Sequence, residues 1–458
     1  MKQTTSLTRR GFLRRAGAAL AASSAPMVWI PNPAFAQTSG RGRVKHLLYI
    51  RLSGGFRFPA AFNADVGDEL NPFGRASGRA PGTEWGVGGL LARAPFLEGA
   101  AGQALRALGM RPVPEMANQI SVVPCVDHEP LSASADGNHG TALERWYSGS
   151  VDGPVGFFTM IGYGLRDRMT PGQVSLPPFV LGGAGMGRGI GKYAAHRPPV
   201  LAGEGFDRFR VQGGSDLAPW ARAMADRADA HMRDRQHPGL RGGIDAYIES
   251  RKATRAYGEI FASDALKIGS TSGPPVDGLT NRQLADMLGD GGGARGVRLA
   301  LRLFHFGSPA VYLDEGGYDL HSGEEGSLPA RMLNVNRLIS GLEAALKALT
   351  HPAGGRYWDH TMVVMGSEFS RTTRGQKFNS ARGSDHGGDL ATRFMSMPFM
   401  GGAIPRPGRR LGETRASDLK AVGKVYSYRS VLKTLMDGLG CQHDEFFPAD
   451  PPFDDLYA

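Results

Sequence analysis

Three short polar clusters in the second half of the chain hold the residue types that could do chemistry. They are Gly316-Gly-Tyr-Asp-Leu-His321, Gly366-Ser-Glu-Phe-Ser-Arg371 and Gly383-Ser-Asp-His-Gly387. Asp319, His321, Asp385 and His386 offer oxygen and imidazole donors, a mixture that suits a divalent cation such as zinc, manganese or calcium. A cation held by them would act as a Lewis acid and lower the pKa of bound water. Glu368 could ligate it or serve as general base, and the planar fork of Arg371 suits an anionic group. The competing reading is structural: Gly-Asp and Ser-Asp pairs are ordinary turn chemistry, with Asp319 and Asp385 capping turns and the histidines donating to backbone carbonyls.

The elements that must position these clusters are readable. Thr361-Met-Val-Val-Met365 is a β-branched apolar run of strand length, so Glu368 leaves a strand end, where open α/β sheets place their ligands. Leu333, Leu338, Leu342, Ala345, Leu346 and Leu349 recur at helical spacing and predict a crossover helix. Strand, helix and strand return the chain to a parallel sheet, which lets clusters distant in sequence converge. Upstream, Val44 to Leu52 predicts a first strand running into Ser53-Gly54-Gly55, with glycines that let the backbone turn beside a ligand. Gln119 to Pro124 predicts another, followed by Asp127-His128, Asn138-His139-Gly-Thr141 and the amphipathic start Ala142 to Trp146. Polar residues there meet the positive end of a helix, which suits an anionic group; alternatively Asn138 simply caps the helix. Leu217 to Ala262 reads as a helical insertion with Trp220, Met224, Ala228 and Met232 on one face and a solvated charged face opposite. The fold class is α/β, a central mostly parallel sheet flanked by helices.

The order of these pieces, ending in Phe399-Met-Gly-Gly-Ala403, resembles a largely exported bacterial family, the domain of unknown function 1501 family. That family looks distantly related to the alkaline phosphatase and sulfatase superfamily. The resemblance covers most of the chain beyond its leader and is strongest from Leu301 onward. It implies an alkaline-phosphatase-like sandwich, a single domain over residues 37–458 with the 217–262 helical insertion. It also implies a metal role for His139, and it sets Thr141 where the superfamily carries its hydroxyl nucleophile. Relatives often have an acid after the first strand's glycines, whereas this chain reads Gly54-Gly55-Phe56-Arg57. A cation there would repel a second metal; a solvent-facing Arg57 is the favoured reading, an anion clamp the functional alternative.

Thr8-Arg-Arg-Gly-Phe-Leu-Arg14, the small apolar run Ala16 to Ala25 and Ala34-Phe-Ala36 form a twin-arginine signal peptide, so residues 1–36 are excluded from the fold. The translocase is then a transient partner, and the location is periplasmic or secreted. The formal charge is +10, and removing the five cations of that leader leaves +5. Such a balance suits an anionic small-molecule or polymer substrate. No basic-aromatic stripe points to nucleic acid, and no later apolar run approaches the roughly 20 residues of a membrane span. Cys125 and Cys441 form no C-x-x-C pair, which argues against a thiolate metal site. Two functions follow: a metal-dependent hydrolase of phosphate or sulfate esters, or a catalytically inert exported binding or scaffold protein of the same fold.

Overall fold

The computed structural model describes residues 42–67, 70–71, 73–76, 86–93, 99–128, 138–166, 176–201, 218–239, 241, 244–245, 248, 258–269, 272–321, 324–371 and 393–458. The segment expected to be a leader, Met1 to Ala36, and the third polar cluster with Asp385 and His386 lie outside the described residues.

Ten strands occur among the described residues: β1 (His46–Leu52), β2 (Ile120–Asp127), β3 (Phe179–Leu181), β4 (Val200–Leu201), β5 (Ala310–Glu315), β6 (Thr361–Gly366), β7 (Phe394–Met400), β8 (Glu413–Thr414), β9 (Ala421–Val422) and β10 (Tyr426–Ser427). The helices that matter for the site are α1 (Gly99–Ala107), α2 (His139–Ser148), α3 (Phe157–Gly164), α4 (Pro219–Asp234), α5 (Asn281–Leu288), α6 (Gly292–His305), α7 (Glu324–Ala348) and α8 (Tyr428–Leu439). β8 and β9 form a separate two-stranded ribbon, while the other eight make one sheet in the order β10-β2-β7-β6-β1-β5-β3-β4. Every residue of β1 is buried. A strand covered on both faces by helices needs the near-continuous apolar run that the sequence has there.

β1 pairs in parallel with β5 on one side and β6 on the other, and β3 continues the parallel set beyond β5. β7 runs antiparallel to both β6 and β2, so β2 points the same way as β6. In consequence β1, β2, β5 and β6 all end on one edge. Register aligns Leu52 with Glu315 and Arg51 with Gly366. The segments after them, 53–57, 316–321 and 367–371, therefore emerge side by side. The crossover helix α7 returns the chain to this sheet with β1 between the two strands that it connects.

One face of the sheet carries Tyr49, against which Trp146 of α2 stacks with ring centroids 5.0 Å apart. Tyr428 of α8 stacks in turn on Trp146 at 5.3 Å. The Tyr428 hydroxyl donates to the Trp146 carbonyl (2.7 Å) and accepts from Tyr49 (2.7 Å), and the Trp146 indole donates to Tyr312 (3.1 Å). This chain of bonds satisfies buried hydroxyls and fixes α2 relative to the strands. On the other face α6 lies so close to β5 that a Cβ at Gly296 would stand 2.3 Å from Leu313 Cδ1. The core face of α7 is Met332, Val335, Leu338, Ile339, Leu342, Ala345 and Leu346. Leu333, expected on that face, is exposed instead. The helical stripe drifts, and Met332 takes its place.

The α4 stripe also departs from expectation: Trp220 is 69% exposed, Met224 and Met232 are exposed too, and among the described side chains of this helix the buried one is Asp229. Among the described residues no helix is long and apolar enough to cross a membrane. Cys125 and Cys441 are buried and not joined in a disulfide, and burial raises the Cys125 thiol to about 11.

At the opposite end of β1 from the polar clusters, His46 stacks on Phe304 at 4.7 Å and meets His351. The His46 Nδ1–H donates to the Ser308 carbonyl (2.9 Å), while His351 Nδ1 accepts from the Ala353 amide (3.0 Å). The bond between their Nε2 atoms (2.9 Å) must then have His351 as donor and His46 as acceptor, with both rings neutral. Burial lowers His46 to about 3 and His351 to about 4.

Candidate functional site

The site begins with two glycines. Gly54 and Gly55 follow β1 with φ of +115° and +80°. A Cβ on Gly54 would lie 2.4 Å from the Asp319 amide nitrogen, and one on Gly55 would lie 2.0 Å from Phe369 Cε2. The turn leaves room for two neighbouring segments rather than for a ligand's backbone approach. Its exposed main chain is then used: the Gly54 N–H donates to Glu368 Oε1 (2.8 Å), and Arg371 donates from Nη2 to the Gly54 carbonyl (2.5 Å) and from Nε to the Gly55 carbonyl (2.9 Å).

Glu368, just past the end of β6, is only 2% exposed. Ser367 Oγ stands 3.0 Å from its Oε2 and 2.6 Å from the Leu52 carbonyl. Arg51, chelating Asp314 through Nε (2.7 Å) and Nη2 (3.1 Å), turns Nη1 to within 3.9 Å of Oε2. Burial pushes the Glu368 carboxyl up, but His139, Arg51 and the Gly54 amide outweigh it and hold the group below the usual carboxylate range. Glu368 is thus an ionised group closed off from solvent, poised to orient rather than to meet a substrate.

His139 opens α2, where Asn138 Oδ1 accepts from the amides of Gly140 (2.8 Å) and Thr141 (3.4 Å). Its ring lies between two carboxylates, with Nδ1 3.4 Å from Glu368 Oε1 and Nε2 3.3 Å from Asp319 Oδ1. The hydrogen bond to Glu368, opposed by partial burial and aided by the charge of Asp319, raises its pKa above the ordinary imidazole value. Asp319 is the open side of the cluster, its side chain 50% exposed. His321 Nε2 approaches Asp319 Oδ1 at 2.8 Å, and Arg371 Nη2 bonds the same oxygen. Partial burial pushes the Asp319 carboxyl up, yet Arg371 and the two imidazoles more than offset it and lower its pKa.

His139, Asp319 and His321 each offer a ligand atom, all within 4.8 Å of one another. Two imidazoles and a carboxylate form a donor set suited to zinc or another borderline divalent ion. Ligand atoms about 2.0–2.1 Å from a tetrahedral ion stand about 3.3 Å apart; the His139–Asp319 spacing is 3.3 Å, and the 2.8 Å between His321 and Asp319 is that of a hydrogen bond, which an ion between them would widen. A buried carboxylate behind the second nitrogen of a ligating histidine is the usual orienting partner of such a ring, and Glu368 stands in that relation to His139. The residues present fit a divalent cation.

The structure therefore brings His139, Asp319, His321, Glu368 and Arg371 together, while Asp385 and His386 lie outside the described residues. Thr141 lies in the first turn of α2, with its hydroxyl donating to the Asn138 carbonyl (3.3 Å), and Asn138 does act as the helix cap. Arg57 is not solvent-facing: it is 2% exposed and donates to the Leu70 carbonyl (2.9 Å). An amphipathic guanidinium satisfied by backbone carbonyls can be buried when its stem packs on apolar neighbours. The residues that sequence reasoning passed over are Arg51, Asp314 and Ser367. A charged residue inside an otherwise apolar buried run was the available signal for Arg51.

A family model described as "Protein of unknown function (DUF1501)" matches residues 244–451. No curated protein matches the chain. Among solved structures it is similar to mutants of TAB5 alkaline phosphatase with magnesium bound in the M3 site, at 10% identity and a TM-score of 0.30, covering 78% of this chain and 91% of that one. It is also similar to the C-terminal periplasmic domain of EcEptC from Escherichia coli in complex with zinc, at 10% identity and a TM-score of 0.31, covering 95% of this chain and 92% of that one. Over residues 244–451, which hold Asp319, His321, Glu368 and Arg371, the family that this chain resembles is the one described as Protein of unknown function (DUF1501).

Proposed function

We propose that the chain is exported by the twin-arginine route as a single domain and binds one divalent cation through His139, Asp319 and His321, which it uses to hydrolyse a phosphate or sulfate ester in the periplasm. The observation that carries this reading is the position of the His139 ring. Both its nitrogens face carboxylate oxygens at 3.3 and 3.4 Å, so a neutral imidazole must present one lone pair to an oxygen lone pair. With the Nδ1 proton toward Glu368, the repulsion at Nε2 is relieved by a cation between it and Asp319, either a proton or a metal ion. The raised pKa of His139 expresses the same attraction for positive charge.

A divalent ion supplies Lewis acidity and water activation at neutral pH. The chain's own residues do the rest. Glu368 fixes the tautomer and orientation of His139; Gly54 and Ser367 fix Glu368. Asp319 is the exposed member of the set, and His321, whose Nε2 lies 2.8 Å from Asp319 Oδ1, completes the cation's ligands.

A second reading, an inert metal-binding scaffold, is favoured by one observation. The Nε and Nη2 groups of Arg371 are engaged by Gly55, Gly54 and Asp319, and the Thr141 hydroxyl by Asn138, so neither is presented ready to hold or attack a substrate. Metal analysis of the purified protein, with turnover of p-nitrophenyl phosphate and sulfate, separates the two. The hydrolase reading expects bound metal and activity that both disappear in His321→Ala. Metal without turnover leaves the scaffold; equal metal content in the two proteins ends both.

A further inference from the structure

We infer that Arg371 is a fixed internal cation that competes with a divalent metal for Asp319 Oδ1 and restricts the site to a single ion. The inference rests on the metal reading of the preceding section and concerns how that site is regulated. Three groups converge on one oxygen: His139 Nε2 at 3.3 Å, His321 Nε2 at 2.8 Å, and Arg371 Nη2. The first two are ligands in waiting, whereas the third is a permanent positive charge. A metal that uses Oδ1 must replace the bond that Arg371 makes there.

Arg371 cannot respond by leaving. It is 1% exposed, and it is anchored by the Gly55 and Gly54 carbonyls at 2.9 and 2.5 Å, contacts that do not involve Asp319. Phe369 closes it in, with the guanidinium carbon 5.9 Å from the ring centroid. The charge therefore stays beside the metal position after Asp319 has turned to the ion. In surroundings of effective dielectric about 20, a unit charge at such range weighs against a dication by well over tenfold in affinity.

The wider charge pattern sets the number of ions. Among the described residues, Asp319, Glu368 and Asp314 supply three negative charges, and Arg371 and Arg51 supply two positive ones. With neutral histidines the cluster carries −1; one dication brings it to +1 and a second to +3, in a region whose inner members are buried. The single-ion state keeps one net positive charge, which favours a monoanionic ligand. The cation that discourages a second metal is Arg371, not Arg57, whose side chain reaches Leu70.

The test is zinc binding by isothermal titration calorimetry at neutral pH to the folded protein, its Arg371→Gln and Arg371→Met variants, and Arg371→Lys. Folding is checked by melting temperature. Either neutral variant should bind zinc at least tenfold more tightly than the parent, and stoichiometry in the parent should be one. The Lys variant, which keeps the charge, should stay within about threefold of the parent. Equal or weaker zinc affinity in a folded neutral variant, with the parent binding zinc, overturns this inference and leaves the metal reading intact. Binding in the neutral variants alone upholds both; no binding in any protein overturns both. Should neither neutral variant fold, a structure of the zinc-loaded parent decides. The Arg371–Asp319 bond broken with the Gly54 and Gly55 contacts kept supports the competition, and an intact Arg371–Asp319 bond beside bound zinc refutes it.

Discussion

Acid should destabilise this protein through the His46–His351 pair. Their hydrogen bonds assign both rings as neutral, and burial lowers the two to about 3 and about 4. In the unfolded chain each titrates near 6.5. The folded pKa values lie below the unfolded ones, so the pair's contribution is complete above pH 6.5. It is lost progressively as pH falls toward 4 and then 3, because the unfolded chain takes up protons that the native one refuses. At pH 5 each histidine has forfeited roughly 1.5 units, about 2 kcal/mol, or about 4 kcal/mol for the pair. That is a large share of the 5–15 kcal/mol typical of whole domains. With an unfolding entropy of about 0.9 kcal/mol/K for a chain this long, the melting temperature should fall about 4–5 °C between pH 8 and 5 from this source. The assay is thermal or urea unfolding across that range for the parent and for a double variant, His46→Gln with His351→Gln. Glutamine removes the titration while costing a pH-independent amount. If the double variant's stability falls with pH in parallel with the parent's, the assignment of neutral rings is wrong.

Four further outcomes are expected. Gly54→Ala should cost at least about 3 kcal/mol, since its Cβ would lie 2.4 Å from the Asp319 amide at a backbone angle of +115°, and should abolish metal binding; near-parental denaturation and affinity would contradict it. Glu368→Gln should weaken zinc binding about 10- to 100-fold with the fold retained, as measured by competition with a chelating dye; an unchanged affinity would remove Glu368 as the orienting group of His139. Because the pKa of His139 is raised, protons should compete with the metal from above pH 6.5 downward, so affinity should fall by about tenfold per unit on the acid side of that pKa. Thr141→Ala tests the other candidate, and here hydrolysis should persist within about twofold, since that hydroxyl is already bonded to the Asn138 carbonyl.

Periodicity and composition revealed what local chemistry controls. The apolar runs of β1 and β6, the helix Tyr428–Leu439 with its left-handed Gly440 cap, and the capped start of α2 each follow from residues adjacent in sequence. The polar character of 316–321 and 366–371 is equally local. Pairings that depend on distant partners were beyond reach: β7 runs against its neighbours, and nothing in Phe394–Met400 distinguishes that direction from the other. Arg57 and Arg371 illustrate the same limit. Both are arginines beside a glycine or serine turn, and only the carbonyls that meet them, from Leu70 in one case and from Gly54 and Gly55 in the other, decide that they sit inside. Leu333 shows the converse, an apolar residue at helical spacing left outside when the stripe drifted.

The sheet order has a practical bearing on any attempt to study a shortened protein. The family match spans 244–451, yet β1 at 46–52 is the strand wedged between β5 and β6, and His139 also precedes the matched region. A truncation made at that boundary would leave two inner strands with no common neighbour, baring hydrogen-bonding edges that invite aggregation. It would also lack the imidazole that completes the triad. Whatever ancestry the matched portion records, the working unit begins at least as early as His46.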